Sequence, residues 1–192
     1  ALFLGIFATM VPALDWLELN AASIGINSPG QFFWSVGVLS SVLDNAPTYL
    51  NFLTAAIGLH VSPETINQIQ RLVMENGNNL MSALGNNTIE IQRAGSVLMN
   101  YYSDHISSGS LTVSQIQVAY LIANHSMYIK SISISAVFFG AMTYIGNGPN
   151  FMVKSICQQY GAKTPNFSEY IYKYSIPILL PVFVIVWILF FK

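Results

Sequence analysis

The chain has 192 residues, 53% of them hydrophobic, and carries 7 basic against 8 acidic side chains. Soluble domains carry roughly a quarter charged residues. With 8% this chain cannot cover a soluble fold of its size with polar surface, and its mean hydropathy of +0.52 makes a bilayer the expected solvent. A net charge of −1 gives no basic stripe for nucleic acid. The single cysteine, Cys157, excludes an intrachain disulfide framework and any CxxC metal site.

In chain order, the apolar run Ala1 to Leu14 comes first, with no basic segment before it. It therefore reads as a membrane segment of a processed or cropped chain rather than a secretory signal. Two apolar arms follow, Gln31 to Leu43 and Tyr49 to Leu59, joined at Asp44-Asn45-Ala46-Pro47-Thr48. Each is shorter than the ~20 residues of a full crossing, so residues 1–58 predict a transmembrane segment and a re-entrant hairpin with its tip at 44–48.

Residues 59–130 turn polar but keep helical spacing. The apolar positions are Ile66, Ile69, Val73, Leu80 and Leu84, then Ala94, Val97, Leu98, Tyr101 and Tyr102, then Ile116, Ala119, Tyr120, Ala123 and Met127. Turns are expected at Asn76-Gly77-Asn78 and Ser107-Ser108-Gly109. This region reads as amphipathic surface helices packed on the membrane part. Residues 131–192 predict a helix broken at 146–150 by Gly146-Asn147-Gly148-Pro149-Asn150, a basic loop, and a last spanning helix from Tyr174 to Phe191.

The two interruptions share a pattern. Ser41-Val42-Leu43-Asp44-Asn45-Ala46-Pro47-Thr48-Tyr49 and Thr143-Tyr144-Ile145-Gly146-Asn147-Gly148-Pro149-Asn150-Phe151 both run hydroxyl, three residues, Asn, any residue, Pro, a small amide or hydroxyl, aromatic. Paired Gly/Pro breaks in apolar segments point to a transporter binding site. In hydrocarbon, irregular backbone survives only where it is buried in protein or lines a cavity. Proline also removes a donor and frees carbonyls one turn earlier.

Such carbonyls can coordinate Na⁺, while half-helix N-termini attract anions. The candidate binding residues are Ser41, Asp44, Asn45, Pro47, Thr48, Thr143, Gly146, Asn147, Gly148, Pro149 and Asn150, with Na⁺ expected at Asp44, Asn45, Thr48 and Asn147. Asp44 is the only acid inside either motif. A carboxylate there can neutralise Na⁺ or carry a proton, or it can cap the following helix.

Asp104, His105 and His125 lack ligand spacing and read as surface residues, and His60 reads as an interfacial hairpin end. No nucleophile elbow, P-loop or dinucleotide fingerprint occurs, so neither an enzyme nor a cofactor beyond transported or coupling Na⁺ and H⁺ is expected. Lys154, Lys163 and Lys173 against Glu169 place the loop between them in the cytoplasm by the positive-inside rule. Residues 64–130 then lie outside.

The stretches Gln31 to Leu50 and Ala136 to Lys154 resemble the C-terminal half of bacterial membrane proteins described as sodium:proton antiporters or citrate-transporter-like proteins of the ion transporter superfamily. The resemblance implies an all-α membrane protein, one inverted-repeat half with a re-entrant helical hairpin, a broken transmembrane helix and a final spanning helix. It further implies a multi-pass protein of the bacterial inner membrane, a missing N-terminal half of the same carrier as partner, and a possible homodimer.

Dicarboxylate carriers of that superfamily have Ser-Asn-Thr at the hairpin tip. Here the tip keeps Asn45 and Thr48 and adds Asp44, which suits cation or proton chemistry better than a dicarboxylate. Na⁺/H⁺ antiport by alternating access is the leading expectation. Na⁺-coupled citrate or dicarboxylate transport is the alternative, and a non-transporting subunit or degenerate fragment is the third possibility.

Overall fold

The computed structural model describes residues 25–192 together with Pro12, Trp16, Asn20 and Ser23. Apart from Pro12, the expected Ala1 to Leu14 segment lies outside the described residues. Among these, every regular element is helical.

Helix α1, Pro29–Ser40, opens on a capping box in which the Ser28 hydroxyl accepts from the Gln31 amide and the Gln31 side chain accepts from the Ser28 amide, with Pro29 in the first turn. Helix α2, Asn45–His60, starts directly behind the N-cap Asp44. Their 12 and 16 residues span about 18 and 24 Å at ~1.5 Å per residue. The turn between them covers residues 41–44, earlier than the expected tip at 44–48. Asn45, Ala46, Pro47 and Thr48 instead form the first turn of α2, where the amide that proline lacks would have no intrahelical partner.

Helix α8, Ser126–Phe139, lies against both arms. Phe32 and Val36 from α1, Ala55, Ala56 and Ile57 from α2, and Ile132 and Ala136 from α8 form their shared core. The helices approach closely because Gly37 has no side chain: a Cβ there would lie 2.6 Å from the Phe139 ring. Small residues serve this purpose wherever helices pack at short range.

Between α2 and α8 the chain builds a separate helical unit of α3, Pro63–Asn76, α4, Leu80–Ala83, α5, Ile89–Tyr101, α6, Ser103–Ser107, and α7, Val113–Asn124. The expected apolar positions Ile66, Ile69, Val73, Leu80, Leu84, Ala94, Leu98, Ile116, Ala119 and Tyr120 are buried together with Ile91 and Ile106. They face one another, so this region has a core of its own, and Leu121 of α7 packs it on the membrane part by joining the core of α1, α2 and α8. Tyr101 and Met127 fall off the stripe and are exposed. Gly77 and Gly109 take positive φ at the two expected turns, a conformation that costs glycine little.

Helix α9, Gly148–Gln159, buries none of its residues, and Phe151, Met152, Val153 and Ile156 are exposed. Helix α10 runs 24 residues, Phe167–Phe190, and begins before the expected Tyr174 because Asn166 and Glu169 form a capping box. At ~1.5 Å per residue it spans about 36 Å, enough for a ~30 Å hydrocarbon layer. Within it Ile171–Leu179 is wound as a π-helix around Pro177, and the Leu180 amide reaches back to the Ser175 carbonyl. Phe183 and Phe191 dock the helix on Phe33 and Phe139.

Candidate functional site

The two motifs meet. Helix α8 ends at Phe139, passes through a 3₁₀ turn at Gly140–Met142, and becomes extended at Thr143. The break therefore covers residues 140–147, upstream of the expected 146–150, and Gly148, Pro149 and Asn150 already belong to α9. Both Asn-x-Pro sequences thus mark helix beginnings, with Asn45 first in α2 and Asn147 the N-cap of α9.

Thr143 ties the break to the hairpin turn. Its hydroxyl donates to the Ser41 carbonyl and accepts from the Ile145 and Gly146 amides at 3.2 and 3.0 Å. Asn45 ties the hairpin to the break. With its amide nitrogen turned toward the surrounding acceptors, its two N–H groups are shared among Ser40 Oγ at 2.8 Å, the Ala136 carbonyl at 2.9 Å and the Gly146 carbonyl at 3.1 Å. Ser40 Oγ donates in turn to the Ala136 carbonyl at 2.6 Å.

Gly146 lies in the middle of this contact. A Cβ on it would fall 2.7 Å from the Ser41 carbonyl, 2.8 Å from that of Ser40 and 3.0 Å from that of Gly140. Its φ is not positive, so space rather than backbone freedom requires glycine here.

The carbonyls released where α8 ends are met by side chains. Asn150 Nδ2 donates to the Gly140 carbonyl at 3.1 Å and to that of Thr143 at 3.5 Å. Tyr170 Oη donates to Ala141 at 3.0 Å and Ser175 Oγ to Met142 at 2.7 Å, both from α10. Unwound backbone in an apolar setting is costly unless paired, and α10 supplies part of the pairing. A cation reaching these carbonyls would find one lone pair of each already used.

The other expected residues divide. Asp44 is exposed, and its carboxylate accepts from the Asn45 amide at 2.8 Å, the capping arrangement. The buried Thr48 hydroxyl donates to the Asp44 carbonyl at 3.0 Å. Thr48 lines a mainly apolar cavity of about 780 Å³ between the arms, together with Ser35, Val38, Asn51, Phe52 and Ala55. Asn45 and Thr48 therefore face different surroundings, and Asn147 is partly buried with no side-chain cap bond.

Ser41 Oγ bonds back to Val38 of its own helix at 2.7 Å. It is Ser40, outside the shared spacing, that touches Asn45. Ser40, Gly140, Tyr170 and Ser175 were not singled out from the sequence. The Ser40-Ser41 pair was the only cue to the first, and the α10 donors lie too far along the chain for any spacing to indicate them.

His60 ends the second hairpin arm as expected, whereas His125 departs from its expected surface place. Both are partly buried, and their rings stack 4.1 Å apart at 16°, whereas Asp104 and His105 are exposed as expected. No group of three or more His, Cys, Asp or Glu able to hold a metal occurs among the described residues.

The helical hairpin interlocks with a broken helix, beside a helix long and apolar enough to cross a bilayer. The sequence model of the family described as Putative citrate transport matches residues 1–191. The chain belongs to that family, and its all-α membrane architecture accords with the membership. No curated protein and no solved structure gives a match.

Proposed function

We propose that the chain is part of a multi-pass secondary carrier of the inner membrane that moves citrate or a related carboxylate with Na⁺ or H⁺ by alternating access. The observation that carries this reading is the contact of Asn45 with Gly146, which sets the beginning of one half-helix against the break preceding another. Helix N-termini attract carboxylates. The arms α1 and α2, at about 18 and 24 Å by length, are too short to cross a ~30 Å layer, which supports a re-entrant hairpin. A second hairpin and broken helix, from the same carrier or from a second copy, would complete the site.

Exchange of Na⁺ for H⁺ is the second reading, favoured by Asp44 beside the turn. In that mechanism Asp44, Asn45, Thr48 and Asn147 contribute to the Na⁺ site and Asp44 carries the proton. In the citrate mechanism the Asp44 carboxylate, held on the Asn45 amide, occupies the place of a substrate carboxylate and competes with it.

Asp44→Asn separates the two in proteoliposomes. Carboxylate transport predicts that labelled citrate uptake persists with a KM lowered about three- to tenfold, the effect of ~1 kcal/mol at a helix terminus. Antiport predicts loss of Na⁺-driven dequenching of a pH dye. Absence of citrate uptake by the unaltered protein under both Na⁺ and H⁺ gradients would refute the first reading.

A further inference from the structure

The α3–α7 unit leaves the hairpin immediately after His60, through Val61 and Ser62, and returns at His125, the one residue between α7 and α8. Both covalent connections of the unit therefore pass one point, and at that point the two imidazoles stack with centroids 4.1 Å apart. Tyr128 from α8 closes one side, 4.3 Å from His60, and its hydroxyl donates to the Asn27 carbonyl at 2.7 Å. Tyr120 from α7 lies beside His125, and its hydroxyl donates to Glu90 of α5 at 2.8 Å. His60 Nε2 is buried and without a hydrogen-bond partner.

Parallel stacked imidazoles do not aim two lone pairs at one point ~2.0 Å away, as shared metal coordination requires. The chemistry left to the pair is proton binding. We propose that His60 and His125 form a proton-sensitive clasp across the neck of the α3–α7 unit, closed when both rings are neutral and released on protonation.

The titratable groups facing the pair are Tyr120, Tyr128 and, behind Tyr120, Glu90. Burial, and its hydrogen bond to Glu90, push the Tyr120 hydroxyl up to about 12, so it stays neutral. Burial and then the neighbouring His125 hold His60 below the ordinary imidazole value. Burial also lowers His125, with Glu90 pulling the other way. A histidine whose closed-state value lies below its free value binds its proton more readily when the clasp is open. The closed form is thus fully stable above about pH 6.5 and weakens as the pH falls from there toward the depressed values.

The chain has 3 histidines, so the two ring signals of the clasp are readily assigned by substitution. In the full chain in nanodiscs, labelled at histidine ¹³Cε1, His60 and His125 should titrate below the ordinary imidazole value of about 6.5. Amide exchange at residues 58–64 and 122–128, corrected for its intrinsic pH dependence, should rise at least tenfold from pH 8 to pH 5. In the double variant His60→Phe, His125→Phe, which keeps stacked rings without a proton site, this rise should vanish. If that variant fails to fold, the titration and exchange of the unaltered chain decide. Titration of His60 and His125 at or above the ordinary imidazole value, or equal protection at pH 8 and pH 5, would overturn the proposal.

Discussion

Gly146→Ala is expected to disable transport and destabilise the protein by about 2–3 kcal/mol, in the range of overpacking a close contact. The added carbon would meet the carbonyl oxygens of Ser41, Ser40 and Gly140 at 2.7, 2.8 and 3.0 Å. None of these is the flexible end of a side chain, so relief requires moving the hairpin turn, the end of α8, or both. Any such movement stretches the Thr143 bonds to Ser41 and to the Gly146 amide.

Because Gly146 has an ordinary φ, the loss cannot arise from backbone strain. Gly148→Ala serves as the control, since a Cβ there meets nothing within 4 Å. Thermal unfolding in detergent and citrate uptake in proteoliposomes read the two effects. A Gly146→Ala protein with unchanged midpoint and uptake would show that hairpin and break do not touch.

Asn45→Asp carries the second large effect and turns on sign rather than size. The side-chain shape is preserved, but a carboxylate replaces the amide donor that faces the Ala136 and Gly146 carbonyls at 2.9 and 3.1 Å. Oxygen then opposes oxygen, and the buried Gly146 carbonyl loses the Asn45 donor, at about 1–3 kcal/mol for a group left unsatisfied, while the Ala136 carbonyl keeps the Ser40 hydroxyl. Asn45→Asp should be less stable than Asn45→Ala, which removes the donor without adding charge. Denaturant midpoints of the two variants rank them, and the reverse order would mean that Asn45 presents its oxygen to this site.

The helical class, the hairpin and the interrupted helix were legible because apolar runs, their lengths and their proline breaks are local features. The tip and the break were each placed a few residues late for one reason. In sequence, proline marks the centre of an irregular segment, whereas Pro47 and Pro149 sit in first turns, where a missing amide costs nothing. The α3–α7 periodicity was visible, but periodicity marks a face without saying what covers it. Nor could spacing couple Ser40 to Asn45, or bring Tyr170 and Ser175 to the carbonyls of Ala141 and Met142, because those pairs are made by tertiary packing across the break. His125 read as a surface residue since nothing near it in sequence shows that α2 ends against it.

The neck of the inserted unit bears on how such a chain can change in length. Its two strands leave and return side by side, with the His60 and His125 ring centres 4.1 Å apart. The span to be bridged if the unit were lost is within reach of about four residues at ~3.3 Å each. The α3–α7 unit packs its own core, whereas the hairpin and α8 meet through Phe32, Val36, Ala56, Ile132 and Ala136, with Leu121 of α7 seated among them. The α3–α7 unit therefore hangs from the hairpin and α8 by one covalent neck, and the buried Leu121 of α7 pins it there from inside their shared core.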